Sequence, residues 1–177
     1  MLGRRREPPD RGSPWRYAVI AMADTTYLTS SVEPHMIRWV SDKIGVPLSK
    51  RKLVVGKTRS EREVSFEIDG VSEDGRTAVF ASAAGSIKVG QQRKLFMDAA
   101  ILLRAPFERR IMVFVDARVW TGFENRCDGL LDLHLIEPMV CDAMPDEMRM
   151  KIDAVYSSAK NEVGDLGRPH RLPGKRK

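Results

Sequence analysis

The plainest pattern in the chain is a strict alternation over residues 64–69: Val64, Phe66 and Ile68 are apolar, while Ser65, Glu67 and Asp69 are polar. A period of two puts the apolar set on one side of a pleated strand and the polar set on the other. Gly70 is expected to end this strand, and Asp74-Gly75 is a strong turn signal. Residues 77–83, with Ala78, Val79, Phe80 and Ala81, read as a returning strand, so the two should form an antiparallel hairpin. Ala84, Gly85 and Ser86 follow as a loop.

Helical spacing frames this hairpin. In residues 31–44, Ile37, Val40 and Ile44 recur on one face, Ser31 can cap, Pro34 suits the first turn, and Gly45 with Pro47 stops the helix. Leu53, Val54 and Val55 form a short strand or extended segment before Gly56, and residues 57–63 are charged and exposed. Residues 90–104 read as a long helix with Leu95, Ala99, Leu102 and Leu103 along one side, Lys94 spaced to pair with Asp98, and Pro106 as the stop. Residues 110–115 are a continuous apolar strand, the mark of a strand covered on both faces. Residues 119–125 read as a loop or short helix. Residues 130–140 read as a strand closed by Pro138, and residues 145–158 as a last helix striped by Met148, Ile152 and Val155, its approach capped by Asp142. Long connections between the later strands allow parallel pairing. The expected fold is therefore α/β, a three-layer α/β/α sandwich with a mixed sheet of four to five strands.

Composition narrows the class. A length of 177 residues fits one domain, and 42% hydrophobic with 31% charged residues places the bulk of the chain among globular proteins. No apolar run approaches the roughly 18 residues of a membrane span, so no membrane partner is expected. The net charge of +6 gathers at the ends, in Arg4, Arg5 and Arg6 and in Arg168, Arg171, Lys175, Arg176 and Lys177. Residues 1–21 and 164–177 read as disordered basic extensions around a domain at residues 22–163, with Met22 as an alternative start. Glu7, Pro8, Pro9 and Asp10 follow the first arginines where a signal peptide needs apolar residues. Cys127 and Cys141 form no CxxC pair and read as reduced thiols of a cytoplasmic protein, and His35, His134 and His170 show no metal-ligand spacing.

The order of elements resembles the PD-(D/E)XK nuclease-like, or restriction-endonuclease-like, superfamily. The resemblance spans most of residues 31–158 and is strongest over residues 63–103. It rests on Glu63, the strand ending Asp69-Gly70, the turn Asp74-Gly75, the strand at 77–83, then Gly85, Lys88, Gly90 and Gln91, with Pro145, Asp146 and Glu147 opening a final helix. What it implies is magnesium-dependent phosphodiester hydrolysis, with two carboxylates on the ion and a lysine beside the attacking water. The chain departs from that pattern: the family's acid and lysine fall near Val79 and Ala81, and residues 77–87 hold no Asp, Glu or Lys.

Three function classes follow. The leading expectation is an endonuclease-like domain that has lost metal-dependent cleavage and serves as a nucleic-acid-associated or protein-binding module in a prokaryotic cytosol, with no cofactor. The alternative is a magnesium nuclease centred on Asp69, with Glu67 as second ligand, Gln91 and Lys94 facing the same cleft, and Glu63 or Asp98 as other acids. The third is a structural subunit or homodimer. Lys50, Arg51, Lys52, Lys57 and Arg59, with Arg62 and Lys88, are candidate phosphate contacts. Trp120 and Phe123, near Arg118 and Arg126, suit either base stacking or packing over the last helix, and His134 is expected at the surface. There is no nucleophile elbow, Walker A or dinucleotide glycine motif.

Overall fold

The computed structural model describes residues 26–166. Met22 and residues 1–21, with the final basic residues from 167 on, lie outside them. Helix α1 (Glu33–Ile44) is entered through a π-helical turn at Leu28–Val32, so the chain is already helical at Ser31, which does not cap α1 as expected. Pro34 lies in the first turn of α1, and Gly45 closes the helix with φ +68°, a left-handed conformation that glycine adopts at little cost.

The strands follow as β1 (Leu48–Lys57), β2 (Glu63–Ser72) and β3 (Thr77–Ser82), then helix α2 (Val89–Arg104), β4 (Arg109–Phe114), α3 (Ala117–Cys127), β5 (Glu137–Val140) and α4 (Asp146–Leu166). Among the described residues they form one five-stranded sheet in sequence order, β1-β2-β3-β4-β5. The first three strands are antiparallel, and β3, β4 and β5 are parallel.

Alternation along β3 and β4 builds the layers. Ala78, Phe80, Met112 and Phe114 pack with Leu95, Ala99 and Leu102 of α2 and with Val119 and Phe123 of α3. Val79, Ala81, Ile111 and Val113 pack on the other face with Met36, Ile37 and Val40 of α1 and Ile152 of α4. The chain thus has the expected α/β fold, with helices on both sides of a mixed sheet.

Several local expectations change. Strand β1 is ten residues long rather than three, because its polar residues lie on a sheet edge. Strand β2 does not stop at Asp69 but runs on to Ser72, where the Ser72 hydroxyl, the Asp74 carboxylate and Gly75 at φ +73° make the turn into β3. Residues 130–140 are not one strand. Leu133 and Ile136 are buried three residues apart around a 3-10 turn, Leu130 is exposed, and Pro138 sits inside the short β5 rather than closing it. Asp142 does not cap α4; its carboxylate accepts from the Trp39 indole N–H at 3.1 Å. The segment left open as a loop or short helix is α3, capped by Asp116, which accepts from the Arg118 N–H at 2.8 Å. Trp120 packs between Phe114 and Phe123, and both Trp120 and Phe123 are buried in the core under α2 and α3, so they are not available to stack on bases. α4 continues past Ser158 to Leu166.

Candidate functional site

A bulge in β2 sets the site. Ser49 pairs with Val71 and Arg51 with Ile68, so Asp69 and Gly70 together oppose Lys50. Bulges re-aim side chains and loosen pairing. Here Ile68 and Val71, three residues apart, reach the same core, and Asp69 and Gly70 turn toward α1. Gly70 is needed for that approach: a Cβ there would stand 3.1 Å from Ile37 Cγ2.

Beyond the bulge, β2 and β3 part. Their register holds only Gly70 with Val79 and Val71 with Ala78. The next amide is satisfied by a side chain: Asp69 Oδ2 accepts from the Ala81 N–H at 3.0 Å. Helix α2, packed on the opposite face of the sheet, sends Lys94 to the same residue. Its ammonium donates to the Ala81 carbonyl at 3.5 Å and to Asp98 Oδ2 at 2.8 Å. Asp98 is 7% exposed, so this pair is not the surface pair its spacing alone suggests.

From the α1 side, Glu33 completes the cluster. Burial pushes its carboxyl up to about 7; Lys94 pulls it down, Asp69 and Asp98 push it further up, and Lys50 pulls it down. Burial likewise raises Asp98 above the usual carboxylate range, against the pull of Lys94. Burial disfavours the Lys94 ammonium, but Asp98, Glu33 and Asp69 outweigh it and hold the lysine above its ordinary value. Glu33, Asp69 and Lys50 line a cavity of about 220 Å³ together with Thr29 and Arg38. Five ionisable groups from α1, β1, β2 and α2 therefore meet where the antiparallel half of the sheet gives way to the parallel half. Lys94, Asp69 and Asp98 were legible as a group in the sequence. Glu33 was not: an acid before a proline reads as an ordinary helix start.

The other sequence candidates are placed elsewhere. Glu67 is exposed and its Oε1 binds Lys50 Nζ at 2.6 Å. Gln91 caps α2, accepting from the Lys88 N–H at 3.1 Å, and its amide donates to Tyr156 Oη at 3.3 Å. Tyr156 donates in turn to the Ala83 carbonyl at 3.1 Å, so Gln91 and Lys88 belong to the seam between α2 and α4. Lys50 and Lys52 are exposed on β1, Lys52 opposite Glu67; Arg51 donates to Ser49 Oγ and to the Glu73 carbonyl; Lys57 pairs with Glu61 at 3.2 Å; Arg59 is exposed in the β1–β2 turn. His134 is exposed.

A magnesium ion needs several oxygen ligands converging on one point. Among the described residues no three acidic, histidine or cysteine side chains are placed to hold an ion. One oxygen of Asp69 is taken by the Ala81 amide, and one of Asp98 by the Lys94 ammonium. The part of β3 alongside offers Val79 and Ala81, both buried in the α1 core. These residues do not form a magnesium donor set.

Fold and cluster together define an α/β domain with a partly buried ionic centre at the carboxyl end of β3. Comparison with protein-family models, with curated proteins and with solved structures finds no match for this chain.

Proposed function

We propose that the chain is a nucleic-acid-binding domain of restriction-endonuclease-like architecture whose ionic centre no longer supports metal-dependent cleavage. The observation that carries this reading is the position of the Lys94 ammonium. It stands among Asp98, Asp69 and Glu33, so the positive charge that offsets these acids belongs to the chain itself. Burying such a cluster costs desolvation energy that packing does not return, and groups perturbed in this way concentrate at functional sites.

Binding draws on the outer arm. On the solvent side of β1, Lys50 and Lys52 are exposed, and Lys50 also lines the cavity that holds Glu33 and Asp69. With Arg59 at the arm's tip, they give a phosphate backbone a basic path ending at the ionic centre. Lysines that neutralise phosphates release condensed counterions, so affinity falls steeply with salt, by about 0.9 log units per log unit of salt for each phosphate on duplex DNA.

The test is fluorescence anisotropy with labelled mixed-sequence DNA and RNA, single and double stranded, across a salt series. Retention at about 50 mM salt is expected, with a negative slope that becomes shallower by about one to two units in Lys50→Glu/Lys52→Glu. No retention of any probe overturns the reading. Cutting of the same probes with magnesium or manganese that disappears in Asp69→Ala replaces it with the hydrolytic alternative.

A further inference from the structure

One stretch of the sheet has no helix over it. On the α2 side, β3 and β4 are covered by α2 and α3, but Leu53, Val55 and Phe66 of the β1–β2 arm remain only partly buried. A groove of about 420 Å³ runs there between Val55, Val64 and Phe66 of the arm and Ala100, Ile101 and Arg104 of α2. Toward the start of α2 lies a second apolar hollow of about 550 Å³, lined by Val89, Phe96 and Met97. Val89, Arg93, Phe96, Met97, Ala100 and Arg104 recur at helical spacing, so both hollows share one outward stripe of α2, opposite its buried face. Val89 is 70% exposed and Met97 51%. Two apolar hollows on one stripe exceed the scattered apolar residues of an ordinary surface.

The two charges on this outward stripe of α2 have one sign, while the acids Asp128 and Asp132 lie beyond Arg104, across a neighbouring pocket. The acid of α2, Asp98, is buried and paired with the half-exposed Lys94, and the helix's unpaired charges are the exposed Arg93 and Arg104. Neither arginine enters an ion pair among the described residues. A second copy would bring both arginines against their own counterparts, between chains that each carry +6. A phosphate backbone gains little from Phe66, Phe96 and Met97. We infer that this face docks an amphipathic helix of a partner protein, with apolar residues on one face and Asp or Glu along its flanks. Such a helix lies beside α2 over the bare arm, sets its apolar residues into the two hollows, and pairs its flanking acids with Arg93 and Arg104. From residue 89 to residue 104 the stripe is about 22 Å long, matching about four turns of partner helix. The inference does not depend on the ionic centre or on nucleic-acid binding.

The test uses two labelled peptides of about 16 residues, about four turns, with the same leucine stripe, one flanked by Glu and its twin by Lys. The Glu peptide is expected to bind the full chain at least tenfold more tightly than the twin. Met97→Glu should abolish binding, and Arg93→Glu/Arg104→Glu should reverse the preference. These positions are exposed, and unchanged melting curves would show that the variants remain folded. Lys50→Glu/Lys52→Glu should leave peptide affinity unchanged, which separates this result from the nucleic-acid reading. Equal binding of the two peptides, or binding of neither, overturns the inference. So does a concentration-dependent dimer in sedimentation that Met97→Glu dissolves, because the occupant is then a second copy.

Discussion

At Glu33 the fold holds a carboxyl that takes up its proton near pH 7, against an ordinary value of 4.5. The folded state therefore binds this proton more tightly than the unfolded chain. The stability linked to it is fully present below about pH 4.5 and is lost as pH rises through about 7. Asp98, raised by burial, acts in the same direction. Glu33→Gln keeps the shape of the protonated acid and cannot ionise. Its stability should match the parent near pH 4 and exceed it at pH 8 by on the order of 2 kcal/mol, seen as a higher thermal midpoint at pH 8 only. Melts at the two pH values check this, and an equal shift at both would show that proton linkage is not the cause. The chemistry of Glu33 was hidden in the sequence for a physical reason. Beside Pro34 an acid has a sufficient local explanation in the helix dipole, and its burial against Asp69 and Lys94 is created only when α1 docks on the sheet.

The element that organises the site is the bulged β2. Its apolar positions 64, 66 and 68 were readable because alternation holds there; it fails at Gly70, where one inserted residue shifts the register, and the strand looked finished. The polar residues of β1 hid its length in the same way, and residues 130–140 misled because buried positions three apart in a 3-10 turn resemble the apolar content of a strand. By contrast, α2 and β4 were legible almost to the residue, since each carries an uninterrupted pattern ended by Pro106 or by a capping acid. Gly70→Ala tests the bulge. Its added methyl would meet Ile37 Cγ2 at 3.1 Å and Cδ1 at 3.3 Å, so a loss of about 1 to 2 kcal/mol in urea unfolding is expected. Ile37→Val should recover part of that loss in the double variant, since the two sites touch. Purely additive losses would mean that the strain lies in the backbone instead.

On the scale of the whole molecule, the sheet divides two cores, and each contains one cysteine. Cys127 is buried in the core under α2 and α3, and Cys141 in the core under α1 and α4. Burial pushes both thiols above the ordinary range. Thiolate is the reactive form, so neither should react with a thiol reagent in the native state, and both should react in denaturant. Rapid labelling of either in buffer would show that its core opens readily. The three-layer class was visible in the sequence because β4 is apolar without a break from Ile111 to Phe114 while β2 alternates, a contrast that calls for cover on both faces at the centre and less toward the arm.

The sheet's two rims also bear on how the protein behaves when crowded. One is β1, which carries Lys50 and Lys52 and is kinked where Val55 has no counterpart on β2; the other is β5, four residues long with Pro138 within it. Charged lysines, a local twist and a missing amide each spoil a template for an incoming strand. Edge-to-edge growth by adding strands of neighbouring copies is thereby opposed at both rims for as long as the chain stays folded.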